Sequence, residues 1–307
     1  MPNFLIIGAP KSGTTSLYHY LTQHPQLFMS PNKEPYFFAF EGSRPTFSGP
    51  GDDIAWINAQ SVVELSEYQQ LFEGAGDGQL CGEASTMYLY IKDSCDRIYH
   101  YTPAIKLIAF LRHPVDRAYS HYKHLRRDGR EWEGDFGRAM AKEAERIEKG
   151  WSPAWHYRQV GLYCEQIQRY QERFSAEQLR FYLYDDLVKS PQSVYQGIFE
   201  FLGVDAQLTV DTSKRHNTTA AVRKNKLLHD FLTRPNRLKS VLRQVIPENV
   251  RQPLSAKVYQ KNATAIQPLS EELRSELTRS FEPEILRLQD LIKRDLSEWL
   301  KPVLSPI

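Results

Sequence analysis

Short apolar runs alternate along this chain with segments in which apolar residues recur every three or four positions. The runs have the length of buried strands and predict strands at Phe4–Ile7, Leu80–Glu83, Ile105–Leu111 and Leu179–Tyr184. Residues 31–60 hold aromatic residues, prolines and glycines without a period, which predicts a long loop. The periodic segments predict helices after Gly13, from Pro114, over residues 61–73, 160–174 and 191–202, and over 270–281 and 284–299 with a break at Pro283.

This alternation of strands and helices is typical of an α/β fold with a mostly parallel, three-layer sheet. The 307 residues contain no internal repeat and no low-complexity linker. We therefore predict a single domain, 1–307, with loop insertions at about 31–60 and 205–265. Ligands of such sheets bind beyond the carboxyl ends of the strands, so the residues after Ile7, Glu83 and Leu111 are the first candidates for a functional site.

The composition narrows the class of protein. Hydrophobic residues make up 41% of the chain and charged residues 25%, which excludes disorder for most of it. The net charge of +2 argues against a general nucleic-acid binder, and no apolar window is long enough for a membrane span. We recognise no signal peptide, and Cys81, Cys95 and Cys164 lack metal-binding spacing, so we predict a cytoplasmic protein with buried thiols.

A glycine-framed turn, GAPKSGTTS, joins the first predicted strand to the first predicted helix. In such a turn, backbone N–H groups and the positive end of the helix converge on an anion. The glycine spacing matches the nucleotide P-loop, but the lysine lies inside the loop and none follows Gly13. We predict a phosphate site formed by Pro10, Lys11, Ser12, Gly13, Thr14, Thr15 and Ser16.

A second candidate anion site follows the strand Ile105–Leu111. Arg112 leaves the end of this strand, and Ser120 lies a little over two helical turns later. Both side chains can therefore face one anion from adjacent sides.

Further polar residues on the same predicted helix have a simpler interpretation. Lysines and arginines outnumber acidic residues here, and we interpret them as a solvated basic face. The histidines are spaced i,i+3 without a third ligand, so surface positions are a better interpretation than a metal site. These residues are Arg126, Arg127 and Arg130, and His121 and His124.

Two anion sites at neighbouring strand ends suggest a nucleotide with separated phosphates. The segments FLIIGAPKSGTTSLYHYLTQHP, KEPYFF and LRHPVDRAYSHY resemble the sulfotransferase family that uses 3′-phosphoadenosine-5′-phosphosulfate (PAPS), in particular its heparan sulfate and bacterial branch. The resemblance continues through GLYCEQIQRYQERF, LYDDL and SFEPEILRLQDLIKRDLSEWL, and so covers almost the whole chain. It implies the sulfotransferase fold, in which a P-loop-like strand, loop and helix bind phosphate.

The resemblance also implies roles for individual residues. Residues 10–16 match the loop that binds the 5′-phosphosulfate, with Lys11 at the phosphate and sulfonyl oxygens. Arg112 and Ser120 match the pair that binds the 3′-phosphate. Glu34 matches the catalytic base of heparan-type members, although those often have histidine where this chain has Tyr36. Pro35 should hold Glu34 in an extended conformation, with Lys33 as a charge partner.

A late basic stretch, from Lys214 to Lys226, resembles the loop that closes over the nucleotide in relatives. Arg223 and Lys224 are its candidate phosphate contacts, but the glycines of relatives are missing, and an exposed basic loop is the alternative. Glu83 and His216 are alternatives to Glu34 as the base.

The predicted reaction transfers a sulfuryl group from PAPS to a hydroxyl or amine and leaves 3′,5′-adenosine bisphosphate (PAP), without a metal. The alternatives are a P-loop nucleotide kinase or NTPase and a non-catalytic module that binds a nucleotide or a carrier protein. A carbohydrate, a lipid or a β-hydroxyacyl chain on a carrier protein is a plausible acceptor. Aromatic residues line an acceptor site or form the core of a folded loop; they are Tyr36, Phe37, Phe38, Phe40, Phe47 and Trp56.

Overall fold

The computed structural model describes residues 1–50, 57–212, 221–223, 263–265 and 268–301. A five-stranded parallel sheet forms its centre, in the order β2-β3-β1-β4-β5. The strands are β1 (Phe4–Gly8), β2 (Leu27–Met29), β3 (Leu80–Ala84), β4 (Lys106–Leu111) and β5 (Leu179–Leu183). The connection after β1 leads to β2 on one side of the sheet, whereas the connection after the neighbouring β4 leads to β5 on the other side, and this divergence creates a crevice at the carboxyl edge.

Helices cover both faces of the sheet. In chain order they are α1 (Thr14–Leu21), α2 (Phe37–Phe40), α3 (Leu65–Gln70), α4 (Lys92–Tyr101), α5 (Pro114–Arg127), α6 (Phe136–Ala141), α7 (Glu143–Glu148), α8 (Tyr163–Gln171), α9 (Tyr184–Lys189), α10 (Pro191–Leu202), α11 (Glu271–Ile292) and α12 (Ser297–Leu300). Short 3₁₀ turns cover Pro153–Trp155 and Gln159–Gly161, and β6 (Ala221–Arg223) pairs with β7 (Ala263–Ala265) in an antiparallel ribbon.

The core has one large cluster on each face of the sheet, because successive side chains of a strand point to opposite faces, and a smaller third cluster between α5 and α6. Leu5 and Ile7 of β1 pack with helices α4, α8 and α11, whereas Phe4 and Ile6 pack with α1 and α10. All four side chains are fully buried. The predicted three-layer α/β fold is therefore confirmed; the extent of the domain over 1–307 remains a prediction.

Two expectations about local structure are wrong. Pro283 does not separate two helices, because α11 is continuous from Glu271 to Ile292. Phe281 and Ile285 are buried on either side of the proline, so tertiary packing outweighs the lost backbone hydrogen bond. The segment 31–60 is not loop throughout, since Phe37 and Phe38 enter a helical turn and are buried in the core.

The sequence analysis also missed β2, α4, α6, α7 and α9, and it placed Tyr184, the first residue of α9, in a strand. β2 is a three-residue edge strand, too short for a clear apolar run. α4 buries only Ser94, Cys95 and Ile98, so its apolar stripe is narrow. Among the described residues, we find no helix that is both long and apolar enough to span a bilayer.

Candidate functional site

A cavity of about 850 Å³ opens at the carboxyl edge of the sheet. Residues just after four of the parallel strands line it: Lys11 after β1, Thr86 after β3, Arg112 after β4 and Tyr184 after β5. Glu34, five residues after β2, lines it as well. The cavity therefore lies where open parallel sheets bind ligands.

The predicted phosphate loop forms one wall of this cavity. Its backbone is left-handed at Lys11 (φ 69°) and at Gly13 (φ 88°), which directly precedes α1. A Cβ at Gly13 would lie 2.9 Å from Leu187, so glycine is required there for space as well as for conformation. The predicted loop residues that line the cavity are Pro10, Lys11, Gly13, Thr14, Thr15 and Ser16.

Ser12 differs from the other predicted phosphate contacts. Its side chain is fully buried and lies outside the cavity. The Ser12 hydroxyl is therefore not placed to bind a ligand, and only its backbone N–H remains as a donor for the predicted anion.

The surroundings of Lys11 destabilise the charged form of its ammonium group. Burial, followed by the nearby Arg127 guanidinium, lowers the pKa of Lys11 from 10.5 to about 8, while Asp128 and Glu34 oppose the shift. A bound anion would favour the ammonium form. The nearby acidic side chains therefore do not fully compensate the positive charge at this loop.

Arg112 joins the two predicted anion sites. Its Nη1 donates a hydrogen bond to the backbone oxygen of Lys11 at 3.0 Å, and its guanidinium lies 4.4 Å from the centre of the Tyr184 ring. Ser120 lies on α5 and lines the same cavity. The structure therefore brings Arg112 and Ser120 to the cavity that contains Lys11.

Both carboxylate oxygens of Glu34 have partners. Tyr36 donates its phenol hydrogen to Oε2 at 2.7 Å, Thr86 donates its hydroxyl hydrogen to Oε1 at 2.9 Å, and Lys33 Nζ lies 3.2 Å from Oε1. The expected extended conformation is wrong, because Glu34 has a φ of 64°. The contacts to Tyr36 and Thr86 explain how this unusual backbone conformation is held before Pro35.

The other candidate bases have different positions. Glu83 is fully buried and accepts a hydrogen bond from Tyr68 at 3.2 Å, outside the cavity. Burial raises the pKa of Glu83 from 4.5 to about 7. Because it cannot contact an acceptor in this position, Glu83 is not placed to act as the base. His216 and Lys224 lie outside the described residues, as does the side chain of Arg223, whose backbone belongs to β6.

The histidines of α5 are not surface residues. His121 is 7% exposed and His124 is half-buried, and both line the cavity. Burial lowers the pKa of His121 well below its usual value and that of His124 to about 3, so both rings are neutral at neutral pH. Arg127 Nη2 donates to His124 Nδ1 at 2.9 Å, and His124 Nε2 lies 3.4 Å from Asp128.

The prediction that Arg130 belongs to a solvated basic face at the end of α5 is wrong. This side chain is 8% exposed, forms an ion pair of 3.0 Å with Asp128 and lines the cavity. Arg126 and Arg127 are half-buried, and Arg127 also pairs with Asp128 at 2.7 Å. Asp128 directly follows the last residue of α5, and from this position it forms ion pairs with both Arg127 and Arg130.

Tyr36, Thr86 and Tyr184 were not predicted as site residues. Thr86 and Tyr184 lie at or just beyond strand ends, so the rule that selected Arg112 also points to them. Tyr36 was expected only as an aromatic residue of an acceptor site or a loop core and as a departure from histidine, and its hydrogen bond to Glu34 was not predicted. Of the other aromatic residues, Phe40 and Phe47 line the cavity, and Trp56 lies outside the described residues.

Among the described residues, no group of three or more His, Cys, Asp and Glu side chains is placed to hold a metal ion. The cavity instead combines the predicted phosphate loop, the guanidinium groups of Arg112 and Arg130, and the Glu34 carboxylate, whose orientation is held by hydrogen bonds. Such a site can bind phosphate groups and accept a proton from a second substrate.

Comparison with known proteins agrees with this chemistry. In curated proteins, the chain is similar to the heparan sulfate glucosamine 3-O-sulfotransferase 3A1 of Mus musculus, with 28% identity over 212 residues, 68% of this chain and 47% of that protein. It is also similar to the bifunctional heparan sulfate N-deacetylase/N-sulfotransferase 3 of Mus musculus, with 26% identity over 230 residues, 70% of this chain and 24% of that protein. The chain thus spans about half or less of the length of these curated relatives.

A solved structure matches over nearly the whole chain. It is a sulfotransferase from Alicyclobacillus acidocaldarius with 34% identity and a TM-score of 0.75, covering 98% of this chain and 99% of that one. The profile described as "Sulfotransferase family" matches residues 2–207. The kinase alternative finds no support in these matches. Since the family profile covers most of the chain and contains the loop, Glu34, Arg112 and Ser120, this chain belongs to the sulfotransferase family.

Proposed function

We propose that this chain transfers a sulfuryl group from PAPS to a hydroxyl or amine of an acceptor by in-line displacement. The observation that carries the proposal is the presence of Lys11 and Glu34 in one cavity, with Arg112 and Ser120 at the neighbouring strand end. A phosphate-binding charge and an oriented proton acceptor are the two protein groups that this reaction needs. The family membership supports the same reaction.

The proposed donor site uses both anion-binding elements. The loop of residues 10–16 binds the 5′-phosphosulfate through backbone N–H groups, the hydroxyls of Thr14, Thr15 and Ser16, and the Lys11 ammonium. Arg112 and Ser120 bind the 3′-phosphate. Because Arg112 also holds the Lys11 carbonyl, binding at the 3′-phosphate and the geometry of the loop are connected.

The proposed chemistry proceeds in one displacement. The acceptor oxygen forms a bond to sulfur while the bond between sulfur and the phosphate oxygen breaks. Glu34 takes the acceptor proton, and the electron pair of the broken bond stays on the phosphate of PAP. Lys11 stabilises the charge that grows on this oxygen, so its contact is strongest in the transition state. These charged side chains supply the stabilisation, and the proposed reaction uses no metal.

The hydrogen bonds to Glu34 explain its orientation before the acceptor arrives. Tyr36 and Thr86 each donate to a different oxygen of the carboxylate. Such positioning removes rotational freedom that would otherwise be lost during the reaction. The acceptor classes considered are a carbohydrate, a lipid and a hydroxyacyl chain, free or on a carrier protein.

Transfer from sulfur-labelled PAPS tests the proposal. We expect acceptor-dependent formation of PAP and a labelled sulfate ester, with the same rate in the presence of a chelator. Acceptors with hydroxyl or amine groups are compared with their O-methylated or N-acetylated forms as controls. Phosphate transfer from ATP in magnesium, without sulfate transfer from PAPS, would instead identify the chain as a kinase.

A further inference from the structure

The cavity has a second wall, which is apolar and leads away from Glu34. We call it the apolar arm and define it by Phe40, Phe47, Ile57, Met87, Ile91 and Pro153, all of which line the cavity. These side chains come from four parts of the chain: α2, the segment between α2 and α3, the segment between β3 and α4, and the 3₁₀ turn Pro153–Trp155. The fold therefore assembles this surface, and no single helix provides it.

The apolar arm is continuous with the candidate base. The Tyr36 phenol donates to Glu34, the Tyr36 and Phe40 rings lie 6.1 Å apart, and the Phe40 and Phe47 rings lie 5.7 Å apart. A molecule whose reacting group contacts Glu34 would thus pass over Tyr36 and reach these rings.

Five of the six residues in the apolar arm are only partly buried. Phe40, Met87 and Ile91 lie at the edge of the main core, and Phe47 lies at the edge of a smaller one, so each exposes part of its side chain. Ile57 is also partly exposed and lines the cavity. Apolar surface that faces a concave site is typical of places that bind an apolar ligand.

The charges of the cavity do not favour an anionic acceptor in the apolar arm. Lys33 is paired with Glu34 and Arg130 with Asp128, while Lys11 and Arg112 lie at the proposed donor site. His121 and His124 are neutral because burial lowers the pKa of each ring. Each cation among the described residues that line the cavity therefore either has an acidic partner or lies at the proposed donor site.

We propose that the acceptor is an uncharged alcohol with an apolar body, which places its hydroxyl at Glu34 and its aliphatic or aromatic part along the apolar arm. This inference rests on the proposed sulfuryl transfer and narrows its acceptor class. The hydroxyl proton moves to Glu34, the oxygen forms the bond to sulfur, and PAP leaves with the electron pair. The product is an amphiphilic sulfate ester.

The test uses the whole chain, first loaded with PAP, and measures binding of three probes by calorimetry. The probes are 1,8-octanediol, 1,4-butanediol, which lacks most of the apolar body, and 8-hydroxyoctanoate, which adds a charge. We expect the octanediol to bind about 30-fold more tightly than the butanediol, because several methylene groups leave water. It should also bind about 10-fold more tightly than the hydroxyoctanoate, whose carboxylate would be desolvated without a partner.

Two variants test whether the apolar arm causes the preference for 1,8-octanediol over 8-hydroxyoctanoate. Phe47→Arg supplies a cation and should shift the preference toward 8-hydroxyoctanoate by about 10-fold or more. Met87→Lys repeats the test at a second position, in case one variant does not fold. Leu286→Arg, at an exposed apolar position outside the cavity, is the matched control and should leave the preference unchanged.

The outcomes separate the two proposals. Failure to bind PAP at all would contradict the proposed function and this inference with it. Normal PAP binding, combined with equal or tighter binding of 8-hydroxyoctanoate or with no preference for octanediol over butanediol, would overturn the apolar acceptor alone. An unchanged preference in folded Phe47→Arg and Met87→Lys would also overturn it.

Discussion

The Arg112 guanidinium donates a hydrogen bond to the backbone oxygen of Lys11 at 3.0 Å, across the ends of the adjacent strands β1 and β4. Arg112 therefore contacts the loop that is proposed to bind the 5′-phosphosulfate while belonging to the pair proposed for the 3′-phosphate. Its stacking on Tyr184 fixes the guanidinium from the side of β5. One side chain thus connects three consecutive strand ends of the sheet.

Arg112→Ala should weaken PAP binding by about 1.5–3 kcal/mol, the range for a hydrogen bond to a charged group. Arg112→Lys keeps the charge but loses the planar fork, so its loss should be smaller but measurable. The control ligand is adenosine 5′-phosphosulfate, which has no 3′-phosphate, and it should lose less affinity. Equal losses for both ligands would show that Arg112 acts only by supporting the Lys11 loop.

Activity should fall at high pH as Lys11 loses its proton. Burial lowers the pKa of Lys11 to about 8, so the ammonium form dominates below that pH and disappears above it. The kcat/KM for PAPS, which reports groups of the free enzyme, should therefore decline above about pH 8. Lys11→Arg should have lower activity but no such decline, because a guanidinium stays protonated. Persistence of the decline in Lys11→Arg would assign it to another group.

Glu34→Gln should bind PAP as the wild type does but lose turnover by about 10²–10⁴-fold, the usual contribution of a general base. Glutamine keeps the shape, its amide oxygen can accept from one of the hydroxyls of Tyr36 and Thr86, and its NH2 group can donate to the other hydroxyl oxygen, so the variant separates proton transfer from folding. Glu67→Gln, at an exposed position on α3, is the matched control. Near-normal turnover of Glu34→Gln would exclude Glu34 as the base.

Glu83 should affect stability rather than catalysis. Its pKa is raised by burial from 4.5 to about 7 in the folded chain, so the folded state binds a proton more tightly than the unfolded state. Stability should thus fall as pH rises through about 4.5 to 7. Glu83→Gln should remove this loss in the free energy of unfolding, which is on the order of 3 kcal/mol. Its turnover should stay within a few-fold of that of the wild type.

Melting temperatures of both proteins between about pH 5 and pH 8 measure this difference. The variant should become more stable relative to the wild type as pH rises. A parallel pH dependence in the two proteins, or a large loss of turnover in Glu83→Gln, would contradict the structural role.

The central strands were predictable because each is an almost continuous apolar run, which a strand buried on both faces requires. The same logic located Lys11 and Arg112, since both follow such runs. The conformations and contacts of other site residues depend on long-range contacts. Glu34 adopts its left-handed conformation next to Thr86, 52 positions away, and the sequence beside it favours an extended chain instead.

Other differences have the same physical origin. Arg130 looks like a surface residue in sequence, because nothing local indicates that Asp128 and the end of α5 bury it. The proline of α11 looks like a helix break, because local sequence does not contain the core contacts of Phe281 and Ile285. The core contacts around Pro283 involve partners that are distant in the chain, and an ion pair between Arg130 and Asp128, two positions apart, does not by itself reveal that the Arg130 side chain is buried.

The most direct test of the central claim is calorimetric binding of PAP to the whole chain with and without a chelator, compared with ADP and with ATP in magnesium. The cavity joins two proposed phosphate sites at adjacent strand ends, so PAP should bind more tightly than ADP, which lacks the 3′-phosphate, and the chelator should have no effect. PAP binding that vanishes with the chelator, or tighter binding of ATP with magnesium, would contradict the account.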